Sequence, residues 1–140
     1  EEKSSVVANI ADELHESCFF VNIKDAENEK KQCTERVAPP VEDWLKGFAS
    51  AKYVITDSFH ACVFSILFHI PFFVIGNESR GNERILSLLR MFRLEPQRQV
   101  IFKVELMSVL HVNWSEIDCL LDEYRQSSLS FLNRSLVRKQ

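Results

Sequence analysis

Four residues of strand character, Tyr53-Val54-Ile55-Thr56, run into Asp57-Ser58-Phe59-His60 and then into an apolar segment that continues to Ile70. A buried strand handing over to a buried helix has this form. The polar residues then fall at the carboxyl end of the strand and the amino end of the helix, where open α/β sheets place their ligands. A serine, a histidine and the first backbone N–H groups of a helix are expected to face one small volume.

The same alternation runs through the chain. Val6, Val7, Ile10 and Leu14 share a helical face, with Ser4 or Ser5 as its expected cap. A strand is expected over 18–23, and a charged, solvated loop over 24–36. Pro39-Pro40 opens a helix, with Pro40 in its first turn and Val41, Trp44, Leu45 and Phe48 as its buried face. Strand 53–56, helix 58–70 and strand 72–75 follow, Pro71 ending the helix. A loop with two glycines, Gly76 to Gly81, leads into helix 82–93, which buries Ile85, Leu88, Leu89 and Phe92. A short strand over 100–102, a short helix near 104–111 and a final helix from Ser115 to Leu136 complete the pattern.

Apolar runs in the strands are continuous rather than alternating, which is the pattern of a parallel sheet covered on both faces. The expected fold is therefore α/β, a Rossmann-like parallel sheet with helices on both faces. Residues 1–140 make one domain of this kind. Its first element is a helix where a βα unit begins with a strand, so a piece of a larger protein is expected. The strand missing from that unit leaves a sheet edge that favours self-association.

Net charge is −3, so no global field draws nucleic acid, and an anion site has to be local. The cysteines Cys18, Cys33, Cys62 and Cys119 are widely spaced without a CxxC pair, which suits buried thiols in a reducing compartment. Cys62 reads as helix core and Cys18 as a strand start. The longest apolar stretch, Ala61 to Ile75, is interrupted by Ser65, His69 and Pro71 and is too short to span a bilayer. No metal-ligand spacing, P-loop or GxGxxG is present, and no cofactor or metal is expected.

Two clusters could carry chemistry. Asp57 or Ser58 caps the helix that follows, and His60 lies in its first turn, so a phosphate or carboxylate fits above. The plainer alternative is a capping serine and a structural histidine. The second cluster is Arg80-Gly81-Asn82-Glu83-Arg84, on the same side of a parallel sheet, where a guanidinium could grip an anion bidentately. Its plainer alternative is a surface pair with Glu78 or Glu83. His69, at the carboxyl end of its helix, reads as structural, and Trp44 and Trp114 as core anchors.

Trp44-Leu45, Thr56-Asp57-Ser58-Phe59-His60, Phe64-Ser65-Ile66, Pro71-Phe72, Arg80-Gly81 through Arg84, and Leu88-Leu89, taken as an ordered block, resemble the polysaccharide pyruvyl transferase family. The likeness is to bacterial capsule and exopolysaccharide members and spans about residues 40–100. It implies the C-terminal half of a two-domain GT-B-like protein, whose N-terminal half is a partner within the same protein. It further implies transfer of a pyruvyl group from phosphoenolpyruvate to a sugar, or to a lipid-linked oligosaccharide acceptor, forming a ketal. A cytoplasmic location follows, with the inner face of the membrane as a peripheral alternative.

In that resemblance the family's histidine falls on His60 and its arginine on Arg84, while Ala61 stands where many members have glycine. The resulting assignment is His60 as acid/base, Ser58 and the helix start as phosphate ligands, Arg84 as anion clamp and Arg80 as a further donor contact. Two other readings stay open. One is a glycosyltransferase half that binds a nucleotide sugar, and the other is a non-catalytic module for a phosphorylated ligand. On the pyruvyl-transfer reading the isolated chain is expected to be inactive.

Overall fold

A computed structural model describes residues 2–21, 36–37, 40–75, 82–94 and 111–137. Five helices and four short strands lie among them: α1 (Glu2–Leu14), β1 (Phe20–Val21), β2 (Arg36–Val37), α2 (Val41–Ser50), β3 (Val54–Thr56), α3 (Phe59–Leu67), β4 (Phe72–Val74), α4 (Glu83–Met91) and α5 (Trp114–Val137).

The centre is the parallel pair β3–β4, in register Val54 with Phe72, Ile55 with Phe73 and Thr56 with Val74. The ladder is extended at both ends, where Val54 N–H donates to the Pro71 carbonyl at 3.0 Å and Ile75 N–H to the Thr56 carbonyl at 2.9 Å. Pro71 lacks an N–H, so it stands just before the strand and contributes only its acceptor. The parallel arrangement follows from the helix between the strands, which is the crossover that parallel pairing requires.

All three residues of β4 are buried, with Phe72 and Phe73 completely so. Alternate side chains leave a strand on opposite faces. Phe72 and Val74 enter a cluster with Cys62 and Ile66 of α3, Ile85, Leu88 and Leu89 of α4, and Ile117 of α5. Phe73 instead meets Ile10 of α1, with Val6, Leu14, Tyr53 and Ile55 around them. Helices therefore cover both faces, and a continuous apolar run is what such a strand has to be. A third cluster joins α2 to α3: Phe48, Ala61 and Ile70 are buried, and the Trp44, Phe48 and Phe64 rings pack with centroids 4.5 to 6.0 Å apart.

The sheet is smaller than expected. Phe20–Val21 pairs in parallel with Arg36–Val37 as a separate two-stranded sheet, and among the described residues no ladder joins it to β3–β4. The expected single sheet containing 18–23 is thus corrected, and so is the loop assignment at its last residue, Arg36. Two-residue strands carry too little periodicity to show in the sequence. Cys18 lies before β1 rather than at its start.

Helix boundaries and faces also shift. α1 begins at Glu2, which puts Ser4 and Ser5 inside it rather than at its cap. Pro40 is the N-cap of α2 with ψ 157°, one position before the first turn. Val41, expected in the buried face, is 70% exposed because the first turn of α2 projects past the packing surface. The expected strand over 100–102 and most of the short helix near 104–111 lie outside the described residues.

Three helices end in the same way on residues that are not glycine. His15, His69 and Arg93 have φ of 53°, 56° and 54°. After α3, the His69 N–H reaches the Ile66 carbonyl at 3.1 Å and the Ile70 N–H reaches Ser65 at 2.8 Å. After α4, Arg93 bonds Arg90 at 3.1 Å and Leu94 bonds Leu89 at 2.8 Å. These are Schellman closures, each completed by a buried apolar residue, Ile70 or Leu94. That buried anchor and the doubled hydrogen bonding offset the left-handed backbone, about 1–2 kcal/mol for an L-residue.

His69 has the structural role expected of it. Its Nε2 meets Asp118 Oδ1 at 2.8 Å and its ring stacks on Trp114 at 5.0 Å, tying the end of α3 to the start of α5. Tyr124 packs on Phe92 at 6.2 Å, and beyond it α5 projects with Leu129, Phe131, Leu132 and Leu136 exposed.

Cys18, Cys62 and Cys119 are unbridged thiols. Among these described cysteines only Cys62 is buried, and Cys119 is exposed, so the expectation of buried thiols holds for Cys62 and not for Cys119, while Cys33 lies outside the described residues. Desolvation, reinforced by the nearby Asp57 charge, pushes the Cys62 thiol from 9.0 up to about 12. In the unfolded chain this thiol loses its proton near 9.0 while the native one keeps it. Stability from this group is therefore complete below 9.0 and falls as pH rises toward about 12. Urea denaturation across that window should show the fall, and Cys62→Ala should flatten it. In the native protein at neutral pH, a thiol-reactive dye should label Cys119 and spare Cys62.

Candidate functional site

Thr56 ends β3 and Phe59 begins α3, leaving only Asp57 and Ser58 to turn the chain. The turn is tied by Thr56, whose Oγ1 accepts the Ser58 N–H at 3.0 Å. A threonine bonding the amide two residues on is a compact way to leave a strand. Ser58 is then held extended at φ −102° and ψ 127°, as an N-cap residue should be. Its carbonyl accepts the first helical bond, from Cys62 N–H at 3.1 Å.

Ser58 occupies the N-cap, but its side chain makes no cap hydrogen bond. The expected serine cap is therefore corrected: position and backbone are right, and the hydroxyl does not engage the helix start. The first N–H groups of α3 keep the partial positive charge of every helix start, and the Ser58 hydroxyl is not spent on them. Ser58 itself is half-buried and His60 is exposed, immediately before the core residues Ala61 and Cys62.

Arg84 is the second residue of α4, and its guanidinium lies over the Phe59 ring with Cζ 5.7 Å from the ring centre. His60 meets the same ring edge-on at 5.9 Å and 82°. Two of the site residues expected from the sequence thus border one aromatic side chain. Among the described residues, the Arg84 guanidinium lies over a ring rather than beside a carboxylate. Pairing with Glu83 is therefore not what holds it. Arg80 lies outside the described residues, as does Glu78.

Phe59 and Thr56 stand in the sequence block without a role of their own there, and the structure gives each one a contact at this junction. Phe59 had a visible signal, an aromatic at the first helical position beside a histidine. Thr56 had one too, a hydroxyl two residues before the cap. Among the described residues no group of His, Cys, Asp or Glu is arranged to hold a metal ion.

The sequence model of the polysaccharide pyruvyl transferase family matches residues 5–79, a little over half of the chain. The chain belongs to the polysaccharide pyruvyl transferase family. It is thereby placed in a family of transferases. No curated protein and no solved structure matches it. The family match takes in α1 from Ser5 onward, the small β1–β2 sheet and the whole β3–α3–β4 unit, including Ser58 and His60. It stops before Arg80 and Arg84; the structure brings Arg84 to the Phe59 ring, and Arg80 rests on the resemblance alone.

The local bonding separates two hydroxyls that look alike in sequence. Ser58→Ala should leave the melting temperature nearly unchanged, because no cap bond is lost. Thr56→Val should cost about 0.5–1.5 kcal/mol by releasing the Ser58 N–H. Thermal melts of the two variants side by side check this ordering.

Proposed function

We propose that this chain is the donor-binding half of a transferase that moves the pyruvyl group of phosphoenolpyruvate onto a sugar of a bacterial surface or capsular polysaccharide, as a ketal. What supports the reading, besides family membership, is that His60 and Arg84 border the Phe59 ring at the start of α3. The acceptor side of the cleft comes from the other half of the protein.

The chemistry suits those groups. One sugar hydroxyl adds to the enol carbon of phosphoenolpyruvate while the methylene carbon takes a proton and becomes a methyl group. Phosphate then leaves with its bridging oxygen, and the second hydroxyl closes the ketal on the same carbon. Of the two hydroxyl protons, one balances the proton gained by carbon and the other leaves on phosphate. An imidazole can give and take a proton near neutrality, which is the service His60 supplies. Departing phosphate is stabilised by the helix start and the Ser58 hydroxyl. Arg84 offers parallel N–H donors to the donor's phosphate or carboxylate.

A helix start and a guanidinium would serve a nucleotide diphosphate as well, so the donor is tested by competition. Phosphoenolpyruvate should displace a phosphate-based probe from the chain at lower concentration than nucleotide diphosphate sugars do. The opposite order favours the glycosyltransferase reading, and binding without turnover in the protein carrying both halves favours a non-catalytic module.

Two variants separate the roles in that two-domain protein. His60→Ala should abolish transfer with an unchanged melt, since His60 is exposed and carries a proton rather than packing. Arg84→Ala should weaken donor binding by about 1.5–3 kcal/mol, the range for hydrogen bonds to a charged group. Steady-state kinetics with varied phosphoenolpyruvate distinguish a lost kcat from a raised KM. Near-normal turnover by His60→Ala removes the proton-transfer assignment.

A further inference from the structure

We propose that Phe59 is a positioning residue of this site: its ring holds the Arg84 guanidinium against the start of α3 and so sets where the donor's anionic group is gripped. The inference rests on the reading of Arg84 as the anion clamp. Phe59 is the first residue of α3 and is partly buried, packed against the main core cluster. The core fixes the ring from beneath. Arg84 comes from a different helix and is exposed, and among the described residues the Phe59 ring is the contact that orients its long side chain.

The contact supplies that orientation. A guanidinium over an aromatic face is attracted by the ring's quadrupole, and 5.7 Å lies within the effective range. A guanidinium bound through its face also keeps its N–H edge available for bidentate donation. His60 abuts the same ring, so one side chain bounds both the clamp and the proton carrier. A leucine at this position would fill the core contact and have no π face.

The test uses the chain itself. Protons on the Arg84 side chain over a ring face resonate upfield, and Phe59→Leu should abolish that shift while Phe59→Tyr and Phe59→Trp keep it. By calorimetry, Phe59→Leu should weaken phosphoenolpyruvate binding roughly two- to five-fold, the loss expected of an exposed cation–π contact. It should add nothing in an Arg84→Ala background, because Phe59 acts through Arg84. The Tyr and Trp variants should restore affinity, and their melts control for folding. Unchanged affinity in Phe59→Leu, or a loss additive with Arg84→Ala, overturns the proposal. A wild-type chain that binds no phosphoenolpyruvate overturns the donor reading instead, while the upfield shift still decides whether Phe59 holds Arg84.

Discussion

The three parallel pairs between β3 and β4 are short, yet everything at the candidate site hangs from them. Their stability comes less from the ladder than from the burial of Phe72, Phe73 and Val74 on both faces. Fully burying a large apolar side chain is worth about 1.5–3 kcal/mol, more than a single net hydrogen bond contributes. With β4 pinned by helices on either side, β3 has one register available, since a slip of one residue would exchange the two faces. That register fixes where Thr56 ends, and Thr56 in turn fixes Ser58. The path from hydrophobic burial to site geometry is therefore only a few residues long.

The same economy explains how two helix starts come to share one ring. α3 is held by Cys62 and Ile66, and α4 by Ile85, Leu88 and Leu89, all in the cluster that contains Phe72. Once both helices pack on that face, Phe59 and Arg84 are brought within reach of each other by positions set in the core. The Schellman closures after α3 and α4 add to this by burying Ile70 and Leu94, so neither helix can slide along its axis.

What could be read from the sequence was what burial dictates. The apolar run 72–75, the helix with Ile85, Leu88, Leu89 and Phe92, and the parallel crossover between the strands all follow from continuous or helical periodicity. The strand–helix junction was legible because a strand's polar end is informative wherever it falls. Two kinds of feature were not legible. β2 has two residues and pairs with a strand equally short, so its existence depends on tertiary context rather than on pattern. Choosing between Thr56 and Ser58 as the hydroxyl that organises the turn depends on side-chain rotamers, which composition does not encode. The contact of Arg84 with the Phe59 ring was hidden for another reason: the partners are far apart in sequence, and cation–π contacts follow no spacing rule.

Membership of the family bears on chemistry through what the donor must undergo. A nucleotide sugar and phosphoenolpyruvate are both anions that a helix start and a guanidinium can bind, so anion recognition alone does not separate them. They differ at carbon. Glycosyl transfer from a nucleotide expels a phosphate leaving group without protonating a carbon atom, whereas an enol phosphate becomes a methyl ketal only if its methylene carbon gains a proton. A site that serves the second reaction needs a proton carrier as well as an anion clamp, held at fixed positions relative to each other. A histidine and an arginine bordering one core-anchored ring meet that requirement more fully than a cap and a surface arginine would. On the proposed pyruvyl-transfer reading, the carbon protonation step is what would give the placement of His60 and Arg84 around one ring its significance.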